Sequence, residues 1–162
     1  MNKLALSIRT AIERGLQRFN LPSCEASVRL LLMIAAHESQ GFMYVKQKKG
    51  IALSLFQMEP PTYKFVMEYV LRTGKFPSVN VRMPVFRMIT DVEYAAAVAR
   101  IYLWSEPTPL PDADDLQGLA EYASKYWNRG GDGEPHEYLN DFITHVWDGE
   151  FNAEYQAWDC IN

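Results

Sequence analysis

Apolar positions recur every three to four residues along the start of the chain. Leu4, Ile8, Ala11, Ile12, Leu16 and Phe19 share one face, which predicts an amphipathic helix ending near Asn20, before Leu21 and Pro22. Ser23 suits the N-cap of a second helix, and Glu25 in its first turn complements the helix dipole. From Val28 to Ala36 only Arg29 is polar, so this helix is expected to be buried nearly all round and to act as the hub of the fold. After Gly41 the pattern weakens through KQKKG and ALSLFQM, a basic loop followed by a short apolar run that is extended or irregular. Pro60 and Pro61 then open a helix carrying Tyr63, Phe65, Val66, Tyr69, Val70 and Leu71, stopped at Gly74. The segment KFPSVNVRMPVFRMI, with two prolines, reads as a surface loop. Asp91 opens the helix VEYAAAVARIYLW, whose alanines permit close packing and which ends before Pro107. Asp112 to Trp127 and Glu134 to Trp147 read as two further helices, separated by the turn-rich NRGGDG. The expected fold class is mainly α, about six helices with little or no sheet, forming one domain over residues 1–162.

Composition fits a folded protein with a single core: 48% of residues are hydrophobic, 13% aromatic and 22% charged, without repeats or low-complexity runs. The N-terminal MNKLALSIRTAIERGLQRF lacks an unbroken apolar stretch because Arg9, Glu13 and Arg14 interrupt it, so it does not read as a signal peptide. No stretch reads as a membrane span, and no stable membrane insertion is expected. Cys24 and Cys160, at opposite ends of the chain, are too sparse for a disulfide framework or a zinc site; two free thiols in a reducing compartment are expected.

The net charge of -4 conceals an asymmetry. Residues 41–87 hold eight Lys/Arg and two Asp/Glu, whereas residues 88–162 hold three Lys/Arg and fifteen Asp/Glu. A basic lip facing an anionic polymer is one reading, and solubility alone is the other. The acidic total, with no recognised reader motif, argues against nucleic acid as the partner.

Candidate chemistry centres on HESQGF, residues 37–42. A zinc metalloprotease helix needs a second histidine four positions after His37, and position 41 is Gly. Nucleophile-elbow, phosphate-loop and dinucleotide fingerprints are missing from the sequence, and no metal or cofactor is expected. What stands out is Glu38, a carboxyl closing a buried helix. Desolvation and the carbonyl-rich helix end both favour its protonated form near neutral pH. A protonated carboxyl is the general acid that glycosidic bond cleavage requires.

Context narrows that chemistry. Glu38, Ser39 and Phe42 form a Glu-Ser pair followed by an aromatic residue; Ser54, Leu55, Gln57 and Pro60 match a Gly-Leu-x-Gln-x-x-Pro pattern with serine in the glycine position; Tyr126, Trp127, Asn128 and Gly130 match Ala-Tyr-Asn-x-Gly with tryptophan for the tyrosine. With Tyr138 following after Pro135, the chain from about residue 24 to 146 resembles the lysozyme-like superfamily, specifically the soluble lytic transglycosylases. The resemblance implies that Glu38 protonates the glycosidic oxygen between N-acetylmuramic acid and N-acetylglucosamine in peptidoglycan. It implies that Ser39 and Gln57 bond the acetamido groups or hold the site's loop, and that Asn128 and Tyr138 position the sugar or the acid. Phe42, Phe56, Tyr44 and Trp127 are candidates to line the groove, since flat aromatic faces suit sugar rings, although most aromatics of so aromatic a chain are expected in the core.

Between Glu38 and Gln57 no Asp or Glu occurs, which leaves Glu38 without an evident second carboxylate; Glu59 lies just past the glutamine, and Asp91 and Asp132 are remote in sequence. In lytic transglycosylases a lone acid suffices because the substrate's acetamido group and 6-hydroxyl supply the nucleophiles, leaving a 1,6-anhydro product. Some single-glutamate relatives hydrolyse instead, as a muramidase. The other class is a peptidoglycan-binding or virion module without catalysis. Lys46, Lys48 and Lys49 form either a solvated loop or a contact for stem-peptide carboxylates. The expected partner is thus the glycan strand of peptidoglycan, met by a monomer made in the cytoplasm without a signal peptide and acting in the periplasm, either as a bacteriophage lysis enzyme released through a separate pore or as a processed or truncated bacterial domain.

Overall fold

The computed structural model describes residues 1–47, 50–129, 131 and 133–147, and it is mainly α. Its helices are α1 (Lys3–Arg18), α2 (Glu25–Glu38), α3 (Pro60–Thr73), α4 (Arg87–Thr90), α5 (Val92–Trp104), α6 (Leu116–Tyr126) and α7 (Pro135–His145). Among the described residues there is no sheet, only two isolated antiparallel bridges, Lys46 with Leu53 and Leu53 with Met58, between α2 and α3. Among the described residues no helix is long and apolar enough to cross a membrane.

Helix α2 is the hub that its sequence predicts. Every residue from Leu30 to Ala36 is fully buried, and the helix packs against α1, α5, α6 and α7. A helix apolar all round can exist in water only when its neighbours cover it on every side. The alanines of α5 allow one of those covers to lie close, and Gly15 does the same in α1. A β-carbon at Gly15 would fall 2.3 Å from the carbonyl oxygen of Glu93, so the bare backbone is what lets α1 settle on α5.

Several boundaries follow their local chemistry. Pro60 and Pro61 open α3, and Gly74 closes it in the left-handed conformation at φ 63°. Asp91 caps α5, its carboxylate accepting from the Tyr94 amide at 3.0 Å. Other boundaries correct the sequence reading. Cys24, rather than Ser23, is the N-cap of α2, and the Ser27 hydroxyl accepts from its amide at 3.0 Å. Helix α6 begins four residues later than Asp112, because Asp115 is the acidic residue whose carboxylate reaches an amide, that of Gly118, at 2.8 Å. Helix α7 starts after Glu134 and stops at His145, short of Trp147. The proline-bearing segment before Asp91 contains the single helical turn α4, so the described residues hold seven helices against about six expected. It is fastened to the core by Tyr63, whose hydroxyl donates to the Met83 carbonyl at 2.6 Å and accepts from Tyr94 at 2.7 Å.

Cys24 is a free, exposed thiol, while Cys160 lies outside the described residues. An ion-pair network clamps α1 to α2: Glu25 accepts from Arg9 at 2.6 Å and from Arg29 at 2.9 Å, and Arg29 also meets Asp114 at 2.7 Å.

Candidate active site

Glu38 is the last residue of α2, and the chain turns sharply behind it. Gln40, Gly41 and Phe42 all adopt left-handed backbone, with φ of 51°, 72° and 68°. Ser39 holds this turn together: its hydroxyl donates to the Ala35 carbonyl at 2.5 Å and accepts from the Phe42 amide at 2.9 Å. Glycine suits position 41, because φ there is left-handed and a β-carbon would lie 2.5 Å from Nδ1 of His145, so that ring would have to shift. The turn sends the chain away from the helix axis and leaves the Glu38 carboxyl on the wall of a cleft of about 820 Å³.

Another part of the lining, Lys46, Gln47, Ala52, Gln57 and Met58, comes from around the two bridges. Ser54 has φ 70° and Gln57 φ 42°, so two further left-handed residues shape the cleft. The family pattern that this segment resembles has glycine at position 54, and the positive φ is a physical reason for glycine there. Serine occupies it with its hydroxyl accepting from the Phe56 amide at 3.2 Å. Gln57 donates from Nε2 to the Ser54 carbonyl at 2.6 Å and faces the cleft, where it can serve as a fixed polar contact.

A third part comes from the end of α6. Trp127 is the C-cap, and Asn128 follows it; both line the cleft. The Asn128 side chain nests against the glycine turn: a β-carbon at Gly131 would lie 2.0 Å from Oδ1, and one at Gly133 would lie 2.5 Å from Nδ2. Ser124 fixes that turn by donating to the Gly133 carbonyl at 2.8 Å. Gly130 and Asp132 lie outside the described residues.

Around the carboxyl itself the electrostatics are set by burial and by three side chains. The Tyr138 hydroxyl donates to Oε1 of Glu38 at 3.1 Å. Burial pushes the Glu38 carboxyl above its ordinary value, while the His37 charge and hydrogen bonds from Tyr138 and Trp127 pull against that shift without cancelling it. Burial and the neighbouring carboxylate push the Tyr138 phenol far up as well, so it remains a donor at any physiological pH. Behind Tyr138 stands a pair that the sequence reading passed over. The His37 ring stacks on the Tyr138 ring at 3.9 Å between centroids, and its Nδ1 lies 2.7 Å from Oδ2 of Asp141. Their signal in the sequence is spacing, since Tyr138 and Asp141 stand three apart on α7 and therefore share a face.

Of the candidate residues, Glu38, Gln57, Trp127, Asn128 and Tyr44 line one cleft, and Tyr138 reaches the carboxyl from the core. Two placements differ from expectation. Phe56 is fully buried and Phe42 nearly so, and neither lines the cleft. Phe56 packs beneath Trp127 at 6.2 Å, with Tyr102 edge-on to Trp127 at 5.4 Å, so these rings support the tryptophan. Ser39 is fully buried and holds the turn, the second of the two roles that the resemblance implies for it.

Residues beyond the expected set line the cleft too: Gln40, Gln47, Tyr102, Arg129 and Glu59. Glu59, the N-cap residue of α3, brings a second carboxylate to the cleft that already holds Glu38. Lys46 and Arg129 are its basic residues, whereas Lys48 and Lys49 lie outside the described residues. The basic half of the chain therefore reaches the cleft through Lys46, and its arginine Arg87 is paired instead with Asp91 at 2.9 Å. Asp91 is committed to capping α5 and to Arg18 and Arg87, and it does not line the cleft. Among the described residues no group of three His, Cys, Asp or Glu is placed to hold a metal ion. No family model, curated protein or solved structure matches the chain.

Proposed function

We propose that the protein cleaves the β-1,4 bond between N-acetylmuramic acid and N-acetylglucosamine in peptidoglycan, with Glu38 as general acid and then general base, by lytic transglycosylation. The observation that carries this reading is a carboxyl on a cleft wall, raised in pKa by burial and held on one oxygen by Tyr138.

The chemistry runs through the proton of Glu38. As the glycosidic bond breaks, Glu38 gives its proton to the departing sugar oxygen, and positive charge grows on the anomeric carbon. The acetamido carbonyl of the same muramic residue attacks that carbon. The 6-hydroxyl then displaces it, giving up its proton to the Glu38 carboxylate, which closes the cycle and leaves a 1,6-anhydro end. Gln57 and Asn128 offer amide contacts to the sugar, and Trp127, stiffened by Phe56 and Tyr102, offers a flat face. Tyr138 keeps the carboxyl aimed in both protonation states. A strand in the periplasm is the substrate this cleft would meet.

Glu59 favours a second reading. A second carboxylate in the cleft that holds the acid could activate water, and the reaction would then be hydrolysis by the same Glu38. Digestion of purified cell walls followed by mass spectrometry separates the two: anhydro ends are expected, and products heavier by one water overturn transglycosylation. Running the same digestion with Glu59→Gln assigns the water. Loss of lysis in Glu38→Gln is required by either reaction, and full lysis by that variant would discard both.

A further inference from the structure

A second cleft, of about 430 Å³, lies at the C-terminal end of α5 and is lined by Arg100, Lys75, Tyr69, Trp104, Thr108 and Tyr122 among others. Arg100 is 6% exposed, which is unusual for a guanidinium that pairs with no carboxylate among the described residues. Its Nε donates to the Pro22 carbonyl at 3.2 Å, and the cation lies 4.9 Å from the Trp104 ring centroid. Burial pulls its pKa down, yet an arginine remains charged even so.

The terminal nitrogens of Arg100 have no hydrogen-bond partner among the described residues. No fully buried side-chain nitrogen or oxygen there lacks a partner, so these nitrogens keep some access to solvent, and Arg100 lines this cleft. The acid nearest to serving as counterion is already engaged. Glu106 also lines this cleft, but one of its oxygens accepts from Thr108 at 3.1 Å and the other from Arg129 at 3.4 Å. Lys75, exposed at the cleft and without an ion pair among the described residues, adds a second positive charge. A desolvated cation with a free fork of donors is costly to keep unless an anion completes it.

We propose that this cleft binds an oxyanion, a carboxylate or phosphate group, on the terminal nitrogens of Arg100 with Lys75 at the rim. The planar fork suits either group through two parallel hydrogen bonds. Tyr69, Trp104 and Leu110 give the remainder of such a ligand apolar walls. The site is separate from the cleft of Glu38, and the inference does not rest on the reaction assigned there.

Titration of the isotopically labelled full chain with inorganic phosphate and, separately, with acetate tests it by NMR, against sodium chloride at matched ionic strength. Saturable shifts of the Arg100 side-chain N–H and the Trp104 indole N–H are expected, and whichever anion saturates first identifies the preferred group. Lys75→Ala is expected to weaken binding about two- to fivefold, the contribution of one exposed charge, and Arg100→Gln to remove saturation. Lys75→Ala and the wild-type Arg100 resonances keep the test decisive if Arg100→Gln does not fold. Shifts no different from those in chloride, or saturation that survives in a folded Arg100→Gln, would overturn the proposal.

Discussion

The Tyr138 hydroxyl sits 3.1 Å from Oε1 of Glu38, joining the end of α2 to α7 across 100 positions of sequence. This bond favours the ionised carboxylate, so Tyr138→Phe is expected to raise the Glu38 pKa still further. The alkaline limb of the rate profile should move to higher pH. The maximum rate should fall about tenfold, because the carboxyl loses its fixed orientation. A turbidity assay across pH reads both effects; an unmoved limb would remove Tyr138 from the site.

Glu38→Gln should trade activity for stability. Loss of the acid is expected to cost about a hundredfold to ten-thousandfold in lysis. The carboxyl's pKa is raised in the folded protein, so the fold binds the proton more tightly than the unfolded chain does. Stability therefore drops as pH rises from the ordinary carboxyl value through the raised one, and that loss is fully present above it. The amide escapes this penalty. Thermal melts should show the variant more stable than wild type at pH 7, with the advantage fading toward pH 4.

Asp141→Asn tests the pair behind Tyr138. His37 loses its anionic partner at 2.7 Å, and the ring that stacks on Tyr138 is less firmly placed. The pair is partly exposed, so a stability cost under about 1 kcal/mol is expected. A purely structural role would leave the pH profile unchanged. A positioning role, acting through Tyr138, should shift it.

Glu25 governs acid tolerance. Hydrogen bonds from Arg9, and then Arg29, hold its carboxyl down at about 2. A depressed folded value means stability present above the ordinary carboxylate range and lost as pH falls toward 2. With the side chain 41% exposed, solvent discounts the gain to about 0.5–1 kcal/mol. Glu25→Gln should lower the melting temperature by about 2 °C at pH 7 and leave it unchanged at pH 2.

Ser54→Gly relieves a left-handed backbone at φ 70° while deleting the hydroxyl that accepts from Phe56. The two effects are each about 1 kcal/mol and opposed. Net stability should change by less than about 1 kcal/mol, measured by denaturant melts.

Elements with punctuation at both ends were legible in the sequence. Helix α3 runs from its prolines to Gly74, so period and punctuation agree there, and α2 shows as the run from Val28 to Ala36 in which only Arg29 is polar. Where several residues could cap, sequence could not choose: Asp112, Asp114 and Asp115 all precede α6, and only the folded chain brings Asp115 onto the Gly118 amide. Helix α4 is too short to carry a period. The site was legible as short motifs around Glu38, Gln57 and Asn128, which do line one cleft. What those motifs could not tell was which aromatic faces outward. Phe56 and Trp127 are equally suited to a sugar, and the side each occupies depends on rings contributed by distant helices. His37 and Asp141 meet across 104 positions, a relationship with no local trace beyond the spacing on α7.

Gly15 reaches further than its place in α1 implies. Helix α5, on which it rests, carries Tyr102 into one cleft and Arg100 into the other. Any larger residue at position 15 would drive a wedge between the two helices, and the push would be transmitted along one rigid rod to both concavities at once.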